Sequence, residues 1–298
     1  KLFVNLQESE RRFVDPSFFI QSYRDPYGDS VDPSVQADAS EFLTAFFQHI
    51  ENATSGTSMA GILKGVFQGT VCDELLQQTS SGGSPKYREN APSNFFFLSV
   101  PVQSFTRLED SMSKFIEVEN VDLRWEEGEE NQSTSKRSSI VDLPKHLMIH
   151  LQRFQFDYQK MQQVKVNDRF EFPMELDMFP YCKAGRPDQW PPTASSAGGS
   201  GSSSGTVGND GRGGEDGHSP SSSSSPTNLH ERRPSSYYQY VLRGIVVHDG
   251  TAGSGHYYSM ISERQADADG RTRWFEFNDK RVKPFDVGNV AEAAFGGE

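Results

Sequence analysis

A chain of 298 residues is long enough to bury one large core or two small ones. Its formal net charge of −12, with no run of Lys or Arg to make a basic patch, argues against nucleic acid as a partner and for a basic partner or one with a basic tail. Two cysteines, Cys72 and Cys182, are too few for a disulfide framework and point to a reducing compartment, cytoplasmic or nuclear. No apolar run reaches the roughly 18–20 residues of a membrane span, and no signal-peptide pattern follows Lys1.

The first strong element is "ADASEFLTAFFQHIE" (37–51). Ala39, Phe42, Leu43, Phe46, Phe47 and Ile50 recur at the spacing of one helix face. "TSSGGSP" (79–85) reads as a loop, and "WEEGEENQSTSKR" (125–137) as a charged, polar break. "FFFLSVPV" (95–102) and "HLMIHLQRF" (146–154) are apolar and β-prone. A Ser/Gly-rich stretch, 183–236, is almost free of apolar residues and cannot bury enough surface to offset its ordering entropy. It reads as a disordered insertion between two globular parts, 1–182 and 237–298. "YYQYVLRGIVVH" (237–248) alternates as a strand and meets the turn pair Asp249-Gly250. "HYYSMI" and "RWFEF" are spaced to pair as a hairpin across 262–272. Helices first and a mostly antiparallel sheet after them predict an α+β fold without internal repeats.

Several residues carry chemistry. His256 follows a glycine-rich stretch at a strand edge, and an imidazole is the side chain best suited to act as a base near neutral pH. A base of this kind is oriented by a third polar group, and Asn278 or Asp279 lies far enough along the chain to return on a neighbouring strand. The glycines before His256 fit a tight turn needing positive φ, and equally a close backbone approach to a ligand. Tyr257 points to the opposite face of the strand, where it packs on the sheet or lines a site. Asp38 and Glu41 stand three apart at the start of the helix, the spacing of a capping box. His150 and His248 read as structural, with no orienting partner nearby in sequence.

In combination these motifs are far more specific. "RGIVVHDGTAGSGHYYSMI…RWFEFNDKRVKPF" closely resembles the histidine box of the ubiquitin-specific proteases, the papain-like deubiquitinases. "QADASEFL" (36–43), "LPKHLMIHLQRFQFD" (143–157) and "VNDRFEFPMELDM" (166–178) resemble three further stretches of that family, in its order. "FPMELDMFPY" and the closing "FGGE" are similar to its large fat-facets-like branch.

The resemblance implies a papain-like cysteine protease with a partial helical thumb and β-rich fingers and palm. It implies a thiol-dependent hydrolase of ubiquitin's C-terminal isopeptide bonds, with ubiquitin and ubiquitinated proteins as partners and the oligomeric state left open. His256 becomes the general base, Asn278 its orienter and Asp279 a possible helper. Asp38 and Glu41 would grip the arginines of ubiquitin's tail, and Tyr257 would line the channel admitting its Gly-Gly end. In the same family the glycines before His256 form a mobile loop over that tail.

Two family features are missing. Nothing in residues 1–35 matches the cysteine box Gly-Leu-x-Asn-x-Gly-x-Thr-Cys-Tyr. The expectation is a chain that begins inside the domain and hydrolyses nothing by itself. The zinc-binding Cys-x-x-Cys pairs are also missing. Cys72 stands as a remnant with Leu75 at its partner position, and "WEEGEEN" offers no thiolate, so no zinc and no other cofactor is expected. A non-catalytic ubiquitin-binding scaffold is the alternative reading.

Overall fold

In the computed structural model, residues 2–11, 13–25, 27–32, 38–77, 86–128, 130–186, 233–268 and 270–297 are described. The chain opens with α1 (Leu2–Glu8), α2 (Ser17–Ser22), the long α3 (Ala39–Thr54) and α4 (Ile62–Phe67). Then come β1 (Gly69–Gln77), β2 (Tyr87–Glu89), β3 (Ser93–Phe95), β4 (Phe97–Pro101), α5 (Leu108–Phe115), β5 (Glu119–Leu123) and β6 (Gln132–Asp142). The run β7 (Met148–Gln152), β8 (Phe154–Asp157), β9 (Gln162–Lys165) and β10 (Glu175–Asp177) leads to the Ser/Gly-rich stretch. Beyond it lie β11 (Gln239–Val241), β12 (Gly244–Thr251), β13 (Ser254–Ser262), β14 (Trp274–Asn278), β15 (Arg281–Phe285) and α6 (Val290–Ala294).

The α3 helix forms where its periodicity predicts it. Phe47 is its anchor, buried against Phe67, Phe96 and Phe97 at ring separations of 5.2, 5.4 and 6.4 Å. The buried stripe is rotated from the predicted face, so that Ala45 is buried while Phe42 stays 41% exposed beside Tyr23. Behind it, Leu98, Val100, Val102, Met112, Ile140, Phe170 and Met178 form the main core, joining β4 and β6 to α5.

A sheet of order β2-β1-β6-β5, with β3 also on β1, forms one layer, and β12-β13-β14-β15 another. Both are antiparallel, but β4 and β7 pair in parallel, an exception to the expected sheet. Parallel neighbours need a long crossover, and here the whole segment from Val102 to Leu147 supplies it.

Two further expectations are corrected. The polar break 125–137 ends at Gln132, because β6 begins there and runs through "QSTSKR". Its polar side chains are sheet-forming because they find partners inside. Arg137, 4% exposed, donates through Nε and an NH2 group to Glu74 Oε2 at 3.1 and 3.0 Å, and Glu74 is 2% exposed. Tyr87 donates to Glu74 Oε1 at 3.0 Å. Asp249 and Gly250 are not the turn either; both lie in β12, and the reversal falls at Ala252 and Gly253. The loop 79–85 lies outside the described residues, as does 187–232 of the proposed insertion. The two margins of the latter are structured, with 3-10 turns at Lys183–Gly185 and Ser235–Tyr238.

A buried pair that has lost one member leaves an uncompensated charge, so Arg137→Met is expected to destabilise the fold by about 3–5 kcal/mol. Glu74→Met combined with Arg137→Met is expected to recover most of that loss. Urea unfolding of the single and double variants checks both; a double variant as weak as the single would show that the pair is not the cause.

A candidate catalytic site on the four-stranded sheet

The β12–β13 hairpin carries His256 because both strands are rich in β-branched and aromatic residues while glycine occupies the positions where the strands crowd. Gly250 faces Gly255 across the pair. Gly250 has a φ of +120°, and a Cβ there would lie 2.5 Å from Gly255 Cα. A Cβ on Gly255 would strike the Asp249 carbonyl and the His248 ring. The left-handed φ therefore sits at Gly250, not at the glycines next to His256; Gly255 is required by close approach in an extended strand.

His256 and Asn278 are brought together by register. The β13–β14 pairing sets Ser259 against Phe277, so the next step would set Asn278 against Tyr258, one pleat from His256 on the same face. The result is a contact of 2.9 Å between His256 Nε2 and Asn278 Oδ1. An amide oxygen can only accept, so Nε2 carries the proton and Nδ1 keeps its lone pair. Asp279 Oδ2 stands 3.9 Å from His256 Nε2 on a side chain 75% exposed. Asp279 also opens the two-residue turn between β14 and β15 with a φ of +50°, a conformation Asp tolerates better than most residues.

Tyr257 lies on the other face of β13, its ring 4.7 Å from that of His248, directly opposite in β12. Phe154 closes on His248 at 5.2 Å. Burial, and next the Lys165 charge, push the His248 pKa down. His248 thus belongs to a ring cluster beside the candidate base. His150 has an orienting group after all, Ser99 Oγ at 3.4 Å from Nδ1, supplied by the parallel strand rather than by near sequence.

Asp38 is the N-cap of α3. Its Oδ1 accepts from Ser40 N at 2.7 Å, Ser40 Oγ at 2.6 Å and Glu41 N at 3.3 Å. Partial burial opposes its charge, but these hydrogen bonds, with a smaller attraction from His150, outweigh it and hold the carboxyl below its usual pKa. His248 also feels the Asp38 charge, so the helix start faces the ring cluster. Glu41 lies in the first turn of α3 and is exposed, with its backbone N–H on Asp38. Asp38 thus lies within electrostatic range of His150 and His248, Tyr257 packs on His248, and His256 with Asn278 occupies the opposite face of the β13 strand. Both histidines are read from the sequence as structural, and the groups they pack against or bond to come from other strands.

Neither cysteine belongs to this region. Cys72 is buried in β1, its Sγ 3.3 Å from Glu89 Oε1 and 3.2 Å from the Asn90 carbonyl oxygen. Cys182 is buried in the main core. Burial first, and nearby carboxylates second, push both thiols up to about 12. Both are protonated and poor nucleophiles at neutral pH. Cys72 and Leu75 are three apart in an extended strand, so their side chains point to opposite faces, and Leu75 has no atom that could ligate a metal. Among the described residues, no three His, Cys, Asp or Glu side chains form a group able to hold a metal.

Comparison with known proteins gives this arrangement a context. Mouse ubiquitin carboxyl-terminal hydrolase 24 is 29% identical over 303 residues, aligning all of this chain with 10% of that protein. The Drosophila melanogaster probable ubiquitin carboxyl-terminal hydrolase FAF is 26% identical over 278 residues, 91% of this chain and 9% of that one. The chain thus spans about a tenth of the length of these relatives. A solved structure of the SAGA Ubp8/Sgf11/Sus1/Sgf73 DUB module bound to ubiquitin aldehyde shares the fold, with a TM-score of 0.58 at 20% identity over 86% of this chain and 47% of that one. The family model for ubiquitin carboxyl-terminal hydrolase matches residues 1–295, and the chain belongs to that family.

Proposed function

We propose that this chain is part of the catalytic domain of a thiol-dependent deubiquitinase, with His256 as general base, Asn278 as its orienter and a nucleophilic thiol supplied by polypeptide outside these 298 residues. The observation that carries the reading is the 2.9 Å contact of His256 Nε2 with Asn278 Oδ1, which leaves Nδ1 as the proton acceptor. In the reaction, Nδ1 takes the thiol proton as sulfur attacks the carbonyl carbon of ubiquitin's last glycine. The tetrahedral adduct collapses, the C–N bond breaks, and the same proton passes to the departing lysine amine. Water, deprotonated by His256, then splits the thioester and frees ubiquitin and the thiol. A pure binding scaffold has no need of a base and an orienter in hydrogen-bond contact, which favours the enzyme over that alternative.

Asp38, Glu41 and Tyr257 would receive the ubiquitin tail. The Asp38 carboxylate is fixed by three hydrogen bonds and beside two imidazoles, a site suited to arginine; Glu41 adds a second, solvent-facing carboxylate one turn along, and Tyr257 an apolar wall. Residues 183–236 would be an insertion in one domain. In support, β10 and β11, which precede and follow the stretch, pair with each other, so the chain leaves and returns at adjacent points. The free, buried thiols suit a reducing cytoplasmic or nuclear compartment. No helix among the described residues is long and apolar enough to cross a membrane.

A ubiquitin probe with a C-terminal electrophile tests the assignment. This chain alone is expected to stay unlabelled, and the complete polypeptide to be labelled at a cysteine other than Cys72 and Cys182. Labelling of either of those two, or none on the complete polypeptide, would overturn the proposal. In the labelled polypeptide, His256→Gln is expected to lower kcat by about 10²–10⁴-fold, the range of general acid–base catalysis. Asn278→Ala removes one hydrogen bond to a group that becomes charged, worth about 1.5–3 kcal/mol, and is expected to lower kcat roughly 10–10²-fold.

Asp38→Asn isolates tail binding from folding, because asparagine caps a helix as well as aspartate does. The expected outcome is a thermal midpoint close to that of the parent and a KM for a ubiquitin substrate raised about tenfold or more. An unchanged KM would reduce Asp38 to its capping role.

A further inference from the structure

Among the described residues, the backbone of the segment that bears His256 finds its strand partner in β12, while its side chains also reach Asn278 and the Ala293 carbonyl. The β13–β14 ladder starts at Ser259, so Ser254 to Tyr258 pair with β12 alone. Within that sheet β12 is an edge strand. Along such an edge alternate carbonyls point outward, and those of His248 and Gly250, two residues apart, share that direction. Lys165, the last residue of β9, reaches both: its Nζ donates to the His248 carbonyl at 2.8 Å and to the Gly250 carbonyl at 3.0 Å. One ammonium thus stands where a neighbouring strand would pair.

The rest of the contact fixes the lysine in turn. Lys165 pairs with Phe154 across β8–β9, and Phe154 is the residue whose ring meets His248. Its neighbour Val166 is tied down from both sides, its N–H donating to the Arg153 carbonyl at 2.7 Å and its own carbonyl accepting from the Arg153 guanidinium at 3.0 Å. Burial, opposed by Asp249, holds the Lys165 pKa below its usual value, as for an ammonium that has exchanged water for carbonyl oxygens. Between the two braced carbonyls lies Asp249, which is the register partner of His256.

We propose that Lys165 is a positioning residue for the candidate base: it braces the outer edge of β12 so that His256 stays within reach of Asn278. The functional meaning of this brace rests on the deubiquitinase reading, but the brace is testable without turnover. Three versions of this chain would be compared: the parent, Lys165→Met, which keeps the stem but no donor, and Lys165→Arg, which keeps charge and donors. Hydrogen exchange resolves the amides of 248–258 from those of β14 and β15. The ¹⁵N and ¹H signals of the His256 imidazole report its contact with Asn278.

Lys165→Met is expected to lower protection of the 248–258 amides roughly tenfold, the equivalent of one net hydrogen bond, while β14 and β15 keep theirs. The Nε2–H signal of His256 is expected to weaken, and Lys165→Arg to restore both. Unchanged exchange and an unchanged imidazole signal in Lys165→Met would overturn the proposal. So would a loss of protection spread evenly over all strands, which marks general destabilisation. If Lys165→Met does not fold, Lys165→Gln, with an uncharged donor, decides by the same two readouts. In the probe-reactive polypeptide the same change is expected to lower kcat more than it raises KM. A polypeptide inert towards the probe would sink the enzyme reading and leave the brace standing.

Discussion

The register of β13 against β14 is the constraint on which the candidate site depends. His256 and Asn278 meet at 2.9 Å because Ser259 faces Phe277, which sets Asn278 opposite Tyr258, two residues from His256 on the same face. Side chains alternate with a period of two, so a slip of a single residue would send Asn278 to the opposite face from His256. The register is held by what the inward face buries. Met260 is fully buried and Trp274 is 6% exposed, and they lie on adjacent strands of this sheet. A slip would turn one of the two out of the core while the other stayed, so packing away from the imidazole specifies its partner.

A second constraint runs through the polar sheet of β1, β2, β5 and β6. Here the interior is held by charge as well as by apolar area, with Glu74 at the centre. It accepts from Arg137 and Tyr87 and lies 3.7 Å from Lys183, which also contacts Glu89 at 2.7 Å. Burying such ions is costly unless each is paired and hydrogen-bonded, and this set meets that condition. It explains why "QSTSKR" deceives a reader of the sequence. Composition alone gives a polar segment to solvent, whereas the partners that make it a strand lie on β5 and on β1, where Glu74 is 63 residues before Arg137.

The same distinction separates what was legible in the site from what was not. The α3 helix, the α+β class and the pairing of β13 with β14 follow from periodicity within short windows. His256, Asn278 and Asp38 were legible because their residue types, order and neighbours are specific. The contacts of Phe154, His150, His248 and Lys165 were not, since each is made with an element remote in sequence. Lys165 touches carbonyls 83 and 85 residues away, and a backbone carbonyl carries no residue-type signal at all. The turn near His256 was misplaced for a related reason. Asp249-Gly250 is a common hairpin pair, but Gly250 serves a crowded strand crossing, and the reversal falls two residues later.

Charge is distributed unevenly across the site, and the distribution has a chemical logic. The His256 imidazole is contacted by a neutral amide, which can fix a tautomer without adding charge beside the ring. Asp279, 3.9 Å away and largely in water, adds a screened field and chiefly serves its turn. The negative charge that hydrogen bonding does protect, against partial burial, is on Asp38. A helix N-terminus stabilises that carboxylate further through its dipole. On the proposed reading, the arginines of a ubiquitin tail would meet the carboxylate at the start of α3, and the imidazole would keep a neutral partner.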